Sequence, residues 1–352
     1  MRILYVAMKY DYGIKTQEYS FEHENFYDTL VHMGYELLYF DFMSIYQEIG
    51  REEMNRRLWE IARAEKPDLL FCFLYREEID REVMRRITQE TDTVTLNWFA
   101  DDHWRFDNFS RLWAPCFKWV VTTANSALPK YAAIGYKNVI KSQWACNHYS
   151  YRKLNLPYQY DVTFVGKTYG IRRQVIFTLK EAGINVQTWG EGWENGRAQQ
   201  EEMIRIVNQS QINLNLANTS KRVWGLEKPI RIIEKRSESL GRRMRRAVGW
   251  FYDPRLDSEP DEHSQIKARN FEVPGCGGFL LTDMADNLAE YYDIGHEIVC
   301  FDNLRDLIDK IRYYLSHPGE RVGIAESGFQ RTLRDHTYEK RFREIFSKIG
   351  LG

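Results

Sequence analysis

Between Lys267 and Asp283 the chain reads KARNFEVPGCGGFLLTD. Two basic residues, Lys267 and Arg269, share a helix pattern with one acid, Glu272. A Pro-Gly-Cys-Gly-Gly turn and an apolar strand follow. In a doubly wound sheet such a helix leans on the crevice beyond the strand ends, where ligands bind. Lys267 and Arg269 could hold a diphosphate there, and Glu272 could accept hydrogen bonds from a ribose. Together these are the demands of a nucleotide-sugar site.

Three more clusters carry polar chemistry. Phe164–Arg173 (FVGKTYGIRR) puts Gly166 and Lys167 in a loop between a strand and a helix start. Free backbone N–H groups and the helix dipole favour phosphate at such a junction, and Lys167 and Arg173 would add formal charge. The spacing is neither GxGxxG nor a P-loop, so a plain tight turn with exposed basic residues stands beside the anion reading. Gln187–Trp193 (QTWGEGW) ends a strand at the same edge. Trp189 and the backbone at Gly190 could frame a nucleobase, or Trp189 could plug the sheet edge. In the first half, WFADDHW sets Asp102 and His103 at a strand's carboxyl end, suited to proton transfer or sugar contact. An Asp-Asp cap on the next helix is the alternative. Basic groups already compensate the diphosphate charge, so no metal is assigned. His23 with Glu22 and Glu24 fits a solvated helix start and receives no role.

Alternating strands and helices must position these residues. Strand patterns run over 3–8, 37–40, 68–74, 94–99, 119–123 and 139–143, with helix patterns over 24–33, 51–64, 78–89 and 126–133. The polar, aromatic stretch 147–160, with Pro157, reads as an interdomain linker. A second series follows, with strands over 162–165, 185–189, 212–216, 279–282 and 298–301. Its helices fall at 171–182, 201–209, 267–273, 304–315, 319–333 and 338–349. Such alternation predicts an α/β fold of two Rossmann-like domains with parallel sheets. At 352 residues the chain can bury a core in each. The expected division is 1–150, 151–335 and a C-terminal helix over 336–352 that packs back on the first domain.

One segment breaks the alternation. From Lys221 to Trp250 ten basic residues face three glutamates, whereas the whole chain has a net charge of -1. It reads as an insertion over 220–262. Leu240, Met244, Val248 and Phe251 approach helical spacing beside Arg242, Arg243, Arg245, Arg246 and Trp250. Such a face over 221–251 could lie on an anionic membrane or meet a polyanion, and a solvated excursion is the bland alternative. The near-zero overall charge excludes a general pull toward nucleic acid. Five scattered cysteines without a CxxC pair suggest reduced thiols. No stretch reads as a signal peptide or a membrane span. The expectation is a cytoplasmic protein, with peripheral contact to the inner face of the membrane left open.

The segments DVTFVGKTYGIRR, TWGEGW, INLNLA, IKARNFEVPGCGGFLLTD and GHEIVCFDNLRDL together resemble the C-terminal domain of the CgeB-like glycosyltransferases. That family is related to the retaining nucleotide-sugar enzymes of GT-B fold. The similarity covers roughly 161–341, interrupted by the basic insertion. The first half resembles the family more loosely, through NWFADDHWRFDNFS and YAAIGYKNV. The resemblance implies two domains facing a cleft, the donor nucleotide on the second and the acceptor on the first. Glu272 matches the glutamate that holds the donor ribose, and Lys167 the basic position facing the diphosphate. It also implies a UDP-sugar co-substrate, ahead of GDP- or dTDP-sugars, with no obligatory cofactor. The acceptor hydroxyl would belong to a glycan, a lipid-linked sugar or a protein surface. The related enzymes carry another glutamate eight positions before the ribose glutamate; here Ser264 stands there, beside Asp261, Glu262 and His263. This departure leaves the stereochemistry open. Two rival expectations stay open: a catalytically idle binding protein of the same fold, which Ser264 supports, and a GT-B-like sugar-nucleotide epimerase.

Overall fold

The computed structural model describes residues 1–16, 18–217 and 265–352. The basic insertion over 220–262, and Ser264 with its three polar neighbours, lie outside the described residues.

Among the described residues, eleven short apolar segments form two wholly parallel sheets. The first contains β1 (Arg2–Val6), β2 (Glu36–Phe40), β3 (Leu69–Cys72), β4 (Val94–Phe99), β5 (Trp119–Thr122) and β6 (Val139–Lys141). They lie in the order β2-β1-β3-β4-β5-β6. The second contains β7 (Tyr160–Val165), β8 (Val186–Trp189), β9 (Ser210–Asn215), β10 (Leu280–Asp283) and β11 (Val299–Phe301), in the order β11-β10-β9-β7-β8. Central strands such as β3 and β10 are buried along their whole length because helices cover both faces. Strand order reverses between β1 and β3 in one sheet and between β7 and β9 in the other. Parallel sheets open ligand crevices at the carboxyl ends of such pairs.

The elements differ from the sequence reading in three places that matter. The helix expected over 24–33 begins with a π turn, His23–Tyr27, before the α-helix Asp28–His32. The wider turn stacks His23 on Tyr27 and on Tyr39 of β2. The unpredicted helix Phe42–Ile49 is capped by the Asp41 carboxylate, which accepts from the Ser44 N–H. The stretch 147–160 is anchored at its start and mostly exposed from Arg152 to Gln159. Asn147 is fully buried and donates to the Glu24 carbonyl and the Asp28 carboxylate, each at 2.8 Å. Tyr151 is buried beside it.

The helix Tyr338–Lys348 returns to the first sheet. Thr337 caps it, and Tyr338, Phe342 and Phe346 are buried completely. Phe26 lies 5.0 Å from the Tyr338 ring centre and 5.3 Å from that of Phe342, and Phe71 of β3 packs edge-on to Phe342 and Phe346. All five cysteines are buried and unpaired. Among the described residues no helix is long and apolar enough to cross a membrane.

Candidate functional site

At the end of β7 the chain must turn against the loop after β8, and glycine makes that approach possible. The Gly166 N–H donates to the Trp189 carbonyl at 2.8 Å, the Thr168 N–H to Glu191 at 3.1 Å, and the Trp193 indole to the Gly166 carbonyl at 2.7 Å. Gly190 has φ 133°, and a Cβ there would stand 2.3 Å from the Gly166 carbonyl oxygen. Gly190→Ala should therefore push the two loops apart and lower stability by about 2 kcal/mol. A denaturant midpoint equal to that of the parent protein would show that the loops are not locked.

This zipper sets the cations. The Lys167 ammonium pairs with Glu191 at 3.0 Å and lies 5.1 Å from the ring centre of Tyr12 on the other domain. Burial works against its charge, but Glu191 and Tyr12 outweigh that, so Lys167 titrates above its ordinary value. Arg173 is exposed and turns aside, donating to the Gly192 carbonyl at 2.9 Å. Its neighbour Arg172 points inward, because successive helix residues diverge by about 100°. The Arg172 Nε donates to the Leu216 carbonyl at 2.8 Å and Nη1 to that of Lys167 at 3.2 Å. It thereby spans the ends of β7 and β9, the reversal point of the sheet, within the fields of Asp283 and Arg269. Burial lowers its pKa. The sequence reading chose Arg173 and missed Arg172, which the first position of the helix could have signalled.

Glu272 lies in the helix Arg269–Gly275. A buried network from Asn215 of β9 to Asn270 and Thr282 ties that helix to the sheet. Glu272 is 4% exposed. Its Oε2 pairs with Arg269 at 2.5 Å, and its Oε1 accepts from the Tyr151 hydroxyl at 3.1 Å. Two fixed donors leave lone pairs on each carboxylate oxygen for further donors. Tyr151 was passed over as linker. Trp189, offered above as a base platform, is 7% exposed and packs edge-on to Tyr160 at 5.2 Å. The ring is a plug at the sheet edge rather than an open platform.

The first domain meets this surface through several residues. Lys267 Nζ donates to Gln265 at 2.9 Å, and Gln265 donates in turn to the Ala100 carbonyl beyond β4 at 2.7 Å. This brings Lys267 toward His103. Burial, and then the Lys267 charge, lowers the His103 pKa to about 4, so the imidazole is neutral at neutral pH. Asp102 is placed differently from the expectation of a cleft base. It has no exposed surface and accepts from the Tyr131 hydroxyl at 2.8 Å. From there it anchors the helical turn that carries His103. Burial raises its pKa to about 6 despite hydrogen bonds from Ser110, Thr122 and Tyr131. The folded state thus holds that proton more tightly than the unfolded chain. Stability should fall as pH rises from the ordinary carboxylate range to about 6, with the loss complete above it. Asp102→Asn removes the charge. Its melting temperature should gain on the parent between pH 4 and 7, by the equivalent of about 2 kcal/mol. A pH-independent difference would contradict the assignment.

Glu24, left without a role above, comes from the first domain toward Glu272, Tyr151 and Arg197. Burial, then the charges of Glu18 and Glu272, raises its pKa to about 8 against the opposing Arg197. It can therefore donate a proton at neutral pH. Arg197 pairs across the cleft with Asp11 at 2.5 Å and Glu18 at 3.5 Å. Among the described residues no group of three or more His, Cys, Asp or Glu side chains is arranged to hold a metal.

A protein-family model described as "Glycosyl transferase-like" matches residues 172–347, half of the chain, including Arg172, Lys267, Arg269 and Glu272. The chain belongs to this glycosyl transferase-like family. Solved structures agree on the architecture of the whole molecule. Alr3699/HepE of Anabaena, in complex with UDP-glucose, is 8% identical with a TM-score of 0.61, covering 99% of both chains. The sucrose-phosphate synthase of Thermosynechococcus elongatus is 9% identical with a TM-score of 0.58, covering 98% of this chain and 99% of its own. A glycosyltransferase of Rickettsia africae ESF-5 is 11% identical with a TM-score of 0.55, covering 100% and 99%. At such identities the likeness is one of fold. This glycosyl transferase-like protein has the GT-B architecture, two parallel-sheet domains facing a cleft. No curated protein matches it significantly.

Proposed function

We propose that the protein transfers a sugar from a nucleotide-diphosphate sugar to an acceptor hydroxyl, as a member of the CgeB-like branch of GT-B glycosyltransferases. One observation carries the reading: Arg172 spans the carboxyl ends of β7 and β9 within the field of Arg269, which pairs with the buried Glu272. Glu272 accepts from the ribose hydroxyls. Arg172, Lys167, Lys267 and Arg269 compensate the charge that grows on the diphosphate as the sugar–phosphate bond breaks. Arg173 secures the loop, and the backbone at Gly166 and Gly190 borders the base. His103, held from below by Asp102, lines the sugar and acceptor side. UDP is the favoured nucleotide, in keeping with the UDP-glucose held by Alr3699/HepE. Residues 1–150 form the acceptor domain and 151–335 the donor domain, with 336–352 returning to the first. The acceptor hydroxyl belongs to a glycan, a lipid-linked sugar or a protein.

Thermal shifts with UDP, GDP and dTDP, followed by hydrolysis of UDP-glucose, test this reading. The largest shift is expected with UDP. Absence of a shift with all three would remove the donor site. Ser264 favours a second reading, a nucleotide-binding protein without catalysis, because a carboxylate is missing eight positions before Glu272. Binding of UDP-glucose without turnover across a broad acceptor set would select it.

A further inference from the structure

The first sheet has a reversal point of its own, between β1 and β3, and the donor site does not use it. Two tyrosines stand beyond those strand ends, Tyr12 after β1 and Tyr75 after β3. Tyr12 has φ 52°, a left-handed conformation that bulky residues seldom adopt. The turn is held from beneath, where Gly13 lies so close to Met43 that a Cβ would stand 2.0 Å from its Cγ. Yet the Tyr12 side chain is 45% exposed, so burial of the ring does not explain the strained backbone. The ring meets Tyr75 edge-on at 5.8 Å and faces the Lys167 ammonium across the cleft. Arg76 stacks on the Tyr75 ring at 4.8 Å and donates to its hydroxyl at 3.3 Å. Arg105 donates to the Tyr75 carbonyl at 2.8 Å.

We infer that Tyr12 and Tyr75 form the acceptor subsite and that the acceptor is a saccharide. The inference rests on the glycosyltransferase reading above and narrows its acceptor. A pyranose offers an apolar C–H face and a rim of hydroxyls. The exposed Tyr12 ring and the half-buried Tyr75 ring, beside guanidinium and phenol groups, match both parts. A prenyl chain needs a continuous apolar groove, but Lys167 and Arg76 interrupt these rings. A peptide adding to the sheet needs a free edge, and β1 and β3 are both interior strands. Lys167 lies over the Tyr12 ring, so a saccharide on that ring would sit beside the cation assigned to the donor diphosphate.

Saturation-transfer NMR on the full chain with UDP tests the proposal. The probes are malto-, cello-, chito- and xylo-oligosaccharides, with farnesyl phosphate and a serine-rich peptide as rival acceptors. At least one oligosaccharide is expected to show contact. Its affinity should fall about tenfold in Tyr12→Gly and in Tyr75→Ala, the loss of a stacked ring, and return in Tyr12→Phe. Tyr12→Gly also separates binding from folding. Glycine relieves the left-handed backbone, so the melting temperature should rise while saccharide contact is lost. Contact only with farnesyl phosphate or the peptide, no contact with any oligosaccharide, or affinities unchanged in both variants would each overturn the proposal. The UDP resonances in the same sample report on the donor reading separately. If they show no contact, that reading fails, and the oligosaccharide arms still decide the subsite.

Discussion

Arg172→Ala is expected to slow sugar transfer roughly a hundred- to a thousandfold, about 3–4 kcal/mol of lost transition-state stabilisation. The Arg172 guanidinium is fixed by the carbonyls of Leu216 and Lys167, which leaves its other N–H groups for a ligand. It sits where β7 and β9 diverge, within the field of a second cation, Arg269. Two neighbouring cations repel until an anion arrives, so their benefit is greatest when the leaving diphosphate carries most charge. The loss should therefore appear mainly in kcat rather than KM. Arg172→Lys keeps the charge but not both carbonyl bonds, and should recover only part of the rate. Transfer from UDP-glucose, with circular dichroism to confirm folding, supplies the measurement. A folded alanine variant with the parent's kcat would move the diphosphate elsewhere.

Glu272→Ala should weaken UDP binding about ten- to a hundredfold, since a charge-assisted hydrogen bond to the ribose is lost. It should also lower stability by about 3 kcal/mol. The buried carboxylate satisfies Arg269 and Tyr151, and its removal leaves a half-buried guanidinium and a buried phenol without their partner. Glu272→Gln separates the two effects. The amide retains an acceptor for Tyr151 but not the charge that balances Arg269. Isothermal titration with UDP and urea unfolding read the two quantities independently. Unchanged affinity in a destabilised variant would make Glu272 a structural residue only.

The strands were legible because each is a short apolar run with no competing period, and all eleven were expected near their observed positions. Glu272 and Lys167 were singled out for a different reason, since strand–loop–helix junctions are where parallel sheets bind ligands. Direction was not legible. Nothing in the pair Arg172-Arg173 says which guanidinium turns inward, because that depends on the exact start of the helix. Tyr151 was hidden in a polar stretch, and its partner Glu272 is 121 positions away. Asp102 looked like a cleft carboxylate from its place at a strand end, but Tyr131 on a later helix draws it into the core. Tyr12 left no trace at all, since a left-handed tyrosine is written in the packing of Gly13 on Met43 and not in composition.

The returning helix Tyr338–Lys348 has a consequence for the order of events during synthesis. Its aromatic residues complete the hydrophobic core around Phe26 and Phe71, yet they are translated after every strand of the second sheet. The first domain cannot bury that core while the second is still being made. Domains commonly fold one after another as they leave the ribosome. Here the nascent first domain must wait with an aromatic face uncovered, a natural target for a chaperone until that helix arrives.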